Sequence, residues 1–143
     1  MNGPAFERGP AHILIADDLP DLLQALKETL EQEGFVVTAV GDGQAALESI
    51  RALPPDIAVL DLKMPRMTGF AVCRALRDDP LLENMPVIIL SASGTQDSKV
   101  AGLDLGADDF ITKPVNVNEL LARIRMILTR RRQGLDANPL TRL

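Results

Sequence analysis

Short apolar runs recur along the chain, and each is followed by a more polar stretch. The runs cover residues 12–16, 35–40, 57–60, 86–90 and 110–112. Unbroken apolar runs of this length, bounded by turn residues, predict strands that are buried on both faces. Such strands are typical of parallel sheets covered by helices.

Helical patterns fill the intervals between these runs. Pro20 suits the first turn of a helix that ends at Gly34, and Pro54 stops the second helix. Apolar residues at helical spacing predict helices over 20–33, 44–53, 69–77, 98–105 and 117–132. The fourth is weak by propensity, because Gly102 interrupts it. Five alternations of strand and helix predict an α/β fold, a doubly wound five-stranded parallel sheet with helices on both faces.

The composition narrows the function classes. The chain has 143 residues, 46% hydrophobic and 24% charged, which suits one folded domain. A net charge of -5 without a basic face argues against direct nucleic-acid binding by this segment. The lone Cys73 and the absence of a signal-peptide pattern or a membrane-spanning run favour a cytoplasmic protein.

Polar residues stand where four of the predicted strands end. Asp17 and Asp18 follow the first strand, Asp61 ends the third, Ser91 follows the fourth and Lys113 follows the fifth. In open parallel sheets the functional groups lie just beyond the carboxyl ends of the strands. We therefore expect these side chains to gather at one edge.

Three converging carboxylates need compensating positive charge. A hard cation such as Mg²⁺ binds one or two carboxylates together with water and phosphate oxygens. With the ammonium of Lys113 and the hydroxyl of Ser91, such a cluster would stabilise a transferring phosphoryl group. Asp61 alone could be a nucleophile, a metal ligand or a cap, and it is the best candidate to accept the group as an acyl phosphate.

These residues carry a family resemblance. Asp17-Asp18, Leu60-Asp61 with Met64-Pro65 and Gly69, Ser91-Ala92 and Lys113-Pro114 together resemble the receiver domain of two-component response regulators. The resemblance implies a flavodoxin-like fold with strand order 2-1-3-4-5. It also implies that Asp61 accepts a phosphoryl group from a sensor histidine kinase or a phosphotransfer protein.

The same resemblance assigns roles to the neighbouring residues. Asp17 or Asp18, Asp61 and the backbone carbonyl of Lys63 would hold Mg²⁺. Lys113 would pair with the acyl phosphate, and its bond to Pro114 would be cis.

The resemblance further implies a switch. The hydroxyl of Ser91 would move to the phosphoryl group, and the ring of Phe110 would turn into the vacated space, with small Ala92 leaving room. Family members often carry Tyr where this chain has Phe110, which keeps the bulk of the ring but has no phenol hydroxyl to donate. The fourth helix, fifth strand and fifth helix would carry the signal, and a homodimer could form through them.

The predicted domain boundaries are a disordered lead-in over 1–11, a receiver domain over 12–132, and a linker or the start of an output domain over 133–143. The last six residues, Asn-Pro-Leu-Thr-Arg-Leu, resemble the opening of GGDEF-type domains, which make cyclic di-GMP. This leads us to expect a GGDEF-type output in the same chain.

Two alternative functions stay open. A Mg²⁺-dependent aspartyl-phosphate phosphatase is one, although such enzymes usually place the nucleophile after the first strand, with a second acid two residues later; here that residue is Leu19. An interaction domain that works without phosphorylation is the other. The full set of acids, hydroxyl and ammonium argues against it.

Overall fold

The computed structural model describes residues 9–92 and 96–133. Strands and helices alternate through both ranges. The strands are β1 (His12–Ala16), β2 (Val36–Val40), β3 (Ile57–Asp61), β4 (Val87–Ser91) and β5 (Asp109–Thr112). The helices are α1 (Pro20–Gln32), α2 (Gly43–Ala52), α3 (Gly69–Arg77), α4 (Gln96–Asp104) and α5 (Val117–Gln133).

The five strands form one sheet in the order β2-β1-β3-β4-β5, and every pair is parallel. The register places Ala16 beside Leu60, Asp61 beside Leu90 and Ser91 beside Thr112. The carboxyl ends of β1, β3, β4 and β5 therefore lie along one edge. The predicted fold class and strand order are both confirmed.

Two hydrophobic cores lie on opposite faces of the sheet. On one face, α1 and α5 cover the strands, with fully buried Leu26, Leu30, Leu120 and Ile124. On the other face, α2 and α3 pack through residues such as Ile50, Val72 and Leu76. All apolar residues of β3 and β4 are fully buried, as unbroken apolar runs predict. Burying each such large side chain contributes about 1.5–3 kcal/mol.

The helices begin and end where local chemistry allows it. Asp42 accepts a hydrogen bond from the Ala45 N–H at the start of α2, and Thr68 does the same for Ala71 in α3. Gly34 follows α1 with φ of 96°, a left-handed conformation that favours glycine. These caps fix where each helix leaves the adjoining turn, and so position the loops at the edge of the sheet.

Arg77, at the end of α3, joins three segments at the opposite edge. Its guanidinium donates to the backbone carbonyls of Gly106 at 2.5 Å, Met85 at 2.8 Å and Glu83 at 3.1 Å. It also lies 3.4 Å from the carboxylate of Asp108. These bonds hold the turns before β4 and β5 against α3.

The remaining differences from the sequence predictions are at element ends. Helix α4 begins at Gln96 rather than near Ser98, and β5 begins one residue earlier, at Asp109. The carbonyl of Ala11, inside the predicted lead-in, already accepts a hydrogen bond from Val36 at the start of β2. The predicted linker began at residue 133, but Gln133 is the last residue of α5. Residues 1–8 of the predicted lead-in and 134–143 of the predicted linker lie outside the described residues. No helix of the described ranges has the length and apolarity needed to cross a membrane.

Candidate phosphoryl and metal site

Asp61 is the last residue of β3 and lies at the edge of the sheet. The strand pairing continues past it, because the Leu62 N–H donates to the carbonyl of Leu90 at 2.7 Å. The residue is only 5% exposed, so its carboxylate is largely buried but still reaches solvent. The strand thus holds Asp61 in one orientation at the rim.

Asp17 and Asp18 follow β1, the neighbouring strand. Asp17 is fully buried, and its Oδ1 accepts the Leu19 N–H at 2.9 Å, which forms a turn into α1. Asp18 is exposed. Carboxylate oxygens of Asp17, Asp18 and Asp61 all lie within 4.8 Å of one another. The predicted convergence of three acids therefore exists.

Lys113 brings positive charge to these acids from β5. Its Nζ lies 3.0 Å from Oδ2 of Asp17 and 3.3 Å from Oδ1 of Asp61. The backbone N–H of Lys113 donates to the carbonyl of Ser91 at 2.7 Å, which ties its position to β4. The Lys113–Pro114 peptide bond is cis, as the resemblance implied.

The site shifts the pKa of two of its groups. Burial, and then the negative charge of Asp17, raise the pKa of Asp61 to about 6, although the ammonium of Lys113 opposes the rise. Burial alone would lower the pKa of Lys113, but the carboxylates of Asp17 and Asp61 raise it overall. At neutral pH the cluster therefore holds more negative charge than one ammonium can balance.

The donor set fits a hard divalent cation. Within the described ranges, Oδ2 of Asp17 is a buried atom that accepts no hydrogen bond of normal geometry, even though Lys113 lies close to it. A buried carboxylate oxygen without such a bond is costly unless another positive charge reaches it. The acidic cluster could accordingly bind a metal ion. Lys63 follows two residues after Asp61 with an exposed side chain, and the metal role of its carbonyl stays a prediction.

The predicted switch residues lie beside this cluster in the register of the sheet. Ser91, at the end of β4, is 2% exposed, while Ala92 after it is exposed. Phe110 in β5 pairs with Ile89 and belongs to the core. Helix propensity alone marked Gly102 only as a weak point of the fourth helix. The structure shows that a Cβ there would lie 3.0 Å from the Phe110 ring, so this glycine lets the helix pack on the ring.

Gly69 closes the loop that follows Asp61. A Cβ on Gly69 would lie 2.4 Å from the carbonyl oxygen of Asp61, a distance that a folded chain does not tolerate. The Gly69 N–H also donates to the carbonyl of Leu62 at 2.8 Å. Gly69 therefore helps to hold the backbone of Asp61 and Leu62 in place at the end of β3.

Comparison with known proteins agrees with this geometry. A family model described as the response regulator receiver domain matches residues 13–125. The chain belongs to that family. The receiver resembles transcriptional regulatory protein CseB of Streptomyces coelicolor, with 44% identity over 83% of this chain and 50% of that protein. It also resembles DNA-binding response regulator MtrA of Mycolicibacterium smegmatis, with 43% identity over 82% of this chain and 50% of that protein.

Among solved structures, the receiver domain of Francisella response regulator 1452 superposes with a TM-score of 0.80 and 36% identity, covering 85% of this chain and 98% of that one. The chain thus spans about half the length of the two curated relatives but nearly all of a solved receiver domain. The predicted family is confirmed. The predicted GGDEF-type output gains no support, because these relatives are named as transcriptional or DNA-binding regulators.

Proposed function

We propose that Asp61 is the phosphoacceptor of this receiver and takes its phosphoryl group from the phosphohistidine of a sensor histidine kinase or a phosphotransfer protein in the cytoplasm. The observation that supports this most is the meeting of three charged groups around Asp61. Two further carboxylates lie within 4.8 Å of its own, and the Lys113 ammonium lies 3.3 Å away. An ordinary cap or turn aspartate needs none of these neighbours.

The transfer is a displacement at phosphorus. An oxygen of the ionised Asp61 carboxylate attacks the phosphorus, an acyl phosphate forms, the P–N bond breaks, and the departing imidazole keeps the bonding electron pair. Lys113 offsets negative charge on the phosphoryl oxygens. Because the pKa of Asp61 is about 6, the carboxylate is mostly ionised at neutral pH and ready to attack. The receiver thereby catalyses its own phosphorylation and, with water as the nucleophile, its own dephosphorylation.

Asp17, Asp18, Asp61 and the carbonyl of Lys63 would hold Mg²⁺. The ion would supply charge neutralisation for phosphoryl oxygens that arrive among carboxylates. The burial of Asp17 supports this assignment, because its Oδ2 shares the Lys113 ammonium with Asp61, and a cation would offset the remaining negative charge.

The signal would leave through Ser91 and Phe110 to the surface of α4, β5 and α5. Gly102 of α4 lies against the Phe110 ring, so a turn of this ring changes the packing of the helix. Val100 and Leu103 of α4 and Met126 of α5 are large apolar residues about half exposed. A homodimer through this surface would cover them.

We extend the proposal to the output. The two relatives are named as regulators of transcription or as DNA-binding, and each is about twice as long as the matched segment. We propose a DNA-binding output that follows the receiver in the same polypeptide, and a receiver domain bounded near 12–132. The reading frame beyond Leu143 tests this: a frame that encodes a cyclase domain, or no further domain, would contradict it.

Incubation with acetyl phosphate and Mg²⁺, followed by intact-mass spectrometry, tests the phosphoacceptor proposal. The expected result is the added mass of one phosphoryl group, abolished by Asp61→Asn and by chelation of the metal. Asp21→Asn, an exposed acid in the first turn of α1, is the matched control and should behave as the wild type. Uptake that survives Asp61→Asn would refute the assignment. Steady release of phosphate from small esters would favour a phosphatase.

A further inference from the structure

Gly43, the first residue of α2, has no room for a side chain. A Cβ built on it would lie 2.0 Å from the backbone oxygen of Met67 and 2.7 Å from that residue's carbonyl carbon. Gly43 is buried, and its φ lies outside the left-handed range. Glycine is thus required at this position because a side chain would not fit, and not because of its backbone conformation. The two nearest atoms are main chain and the third is the Met67 Cβ at 2.7 Å, whose position the backbone sets, so none of them can give way by a side-chain rotation.

Met67 belongs to the loop that leads from Asp61 to α3, which we call the acceptor loop (residues 62–69). The loop contains a tight turn, in which the Met67 N–H donates to the carbonyl of Pro65 at 2.7 Å. Arg66, between them, has φ of 70° although it is not a glycine. Such a backbone costs about 1–3 kcal/mol and persists only where the surroundings hold it in place.

Two glycines therefore hold this loop in place through close backbone contacts. Gly69 packs against the carbonyl of Asp61 at the end of the loop, and Gly43 packs against the carbonyl of Met67, immediately after the strained turn. Lys63 lies between Asp61, which Gly69 contacts, and Met67, which Gly43 contacts, so these two contacts constrain the path of the Lys63 backbone. Gly69 is part of the family motif, whereas Gly43 is in another helix, and the three atoms nearest to its built Cβ all belong to Met67.

We propose that Gly43 is a positioning residue for the phosphoacceptor and metal site. Because Gly43 has no side chain, the Met67 carbonyl can pack against it, and this contact sets the path of the acceptor loop. The inference rests on the proposed function of Asp61 and deepens it. Gly43 does not touch the phosphoryl group or the metal. It acts through the loop that carries the predicted backbone ligand of Lys63.

The cap of α2 is the second support for this contact. Oδ1 of Asp42 accepts the Ala45 N–H at 2.7 Å and fixes the first turn of the helix, to which Gly43 belongs. Without that hydrogen bond the first turn of α2 would fray, and Gly43 would shift relative to Met67. This would happen although no atom is added next to the loop. Asn caps helices as well as Asp does, so charge and cap can be separated at this position.

The test compares Gly43→Ala with Gly41→Ala. Gly41 lies two residues earlier in the same turn, has no atom within 4 Å of a built Cβ, and has no left-handed φ. We expect Gly43→Ala to raise the Kd for Mg²⁺ about 10- to 100-fold, the usual effect of losing support for a metal ligand. Gly41→Ala should keep the wild-type Kd. Calorimetric titration suits a chain that contains no Trp and no Tyr.

Amide hydrogen exchange over residues 62–69, measured without metal, gives a readout independent of phosphorylation. Exchange there should be faster in Gly43→Ala and unchanged in Gly41→Ala. If Gly43→Ala fails to fold, Asp42→Ala replaces it, with Asp42→Asn as its control. Asp42→Ala should weaken Mg²⁺ binding and speed exchange in the loop, and Asp42→Asn should do neither.

The outcomes separate the two proposals. A folded Gly43→Ala or Asp42→Ala with the wild-type Kd and wild-type loop exchange would overturn the positioning role, whatever its melting temperature, and leave the phosphoacceptor proposal intact. A wild-type chain that binds no Mg²⁺ and takes up no phosphoryl group would overturn the proposed function, and this inference with it.

Discussion

Replacing Asp61 by Asn should stabilise the metal-free protein above pH 6. The substitution keeps the size of the side chain and removes a carboxylate that is only 5% exposed and lies close to two other acids. In the wild type, burial and the charge of Asp17 raise the pKa of Asp61 from 3.8 to about 6. The folded state therefore binds a proton more tightly than the unfolded state does.

The sign and size of the effect follow from this difference. Below pH 3.8 the carboxyl is protonated in both states, so its titration gives no difference between the two proteins. As the pH rises to about 6, the wild type loses stability, because unfolding releases the proton. The full loss would be at most about 3 kcal/mol, and solvent at the rim reduces it to roughly 1–2 kcal/mol. Asn at position 61 does not titrate and escapes this loss.

Urea denaturation followed by far-UV circular dichroism, in chelator and at several pH values from 4 to 8, measures the difference. The advantage of Asp61→Asn should grow between pH 4 and pH 6 and then stay constant. Asp78→Asn, an exposed acid at the end of α3, is the control and should show no such growth. Saturating Mg²⁺ should reduce the advantage, because it stabilises the wild type by mass action.

Two results would refute the reasoning. If Asp61→Asn were less stable than the wild type at pH 8 without metal, the carboxylate would be contributing stability as an ion, and the acids would not be in conflict. If the advantage did not depend on pH, it would come from packing or hydrogen bonding of the amide and not from removal of a charge.

Other predictions follow from the same contacts. Lys113→Gln removes the ammonium that lowers the pKa of Asp61, so the loss of stability with rising pH should continue to above pH 6, seen in the same urea series. Arg77→Lys should cost about 2 kcal/mol or more in urea, because an ammonium cannot bond the three carbonyls together, whereas exposed Arg74→Lys should cost little. Mg²⁺ should raise the melting temperature at pH 7.5 much more than at pH 5, where a proton competes for the Asp61 carboxylate, and chelation should reverse it; an equal rise at both pH values would contradict a site that includes Asp61.

Most of the fold can be predicted from the pattern of apolar residues along the chain. Residues 57–60 are all apolar, so a buried parallel strand ending in Asp61 could be predicted from the sequence, and the structure buries all four of them fully. The candidate site at the strand ends could also be predicted from the sequence, because parallel strands bring their carboxyl ends to one edge of the sheet. Convergence of Asp17, Asp61 and Lys113 needed only this topology.

Contacts to the main chain could not be predicted in this way. The three carbonyls that Arg77 binds come from two turns, and no side-chain pattern marks them. The need for glycine at 43 likewise depends on how closely the acceptor loop crosses α2, a distance that sequence periodicity does not contain. The early start of α4 at Gln96 is of the same kind, since a polar turn gives no apolar spacing to locate it.

Chemical localisation of the phosphoryl group tests the account most directly. After incubation with acetyl phosphate and Mg²⁺, borohydride reduces an acyl phosphate of aspartate to homoserine, which peptide mass spectrometry then assigns to a position. If Asp61 is the phosphoacceptor, homoserine will be found at position 61 and at no other aspartate. Homoserine at 17 or 18, or a phosphate that resists reduction on Ser91, would contradict it.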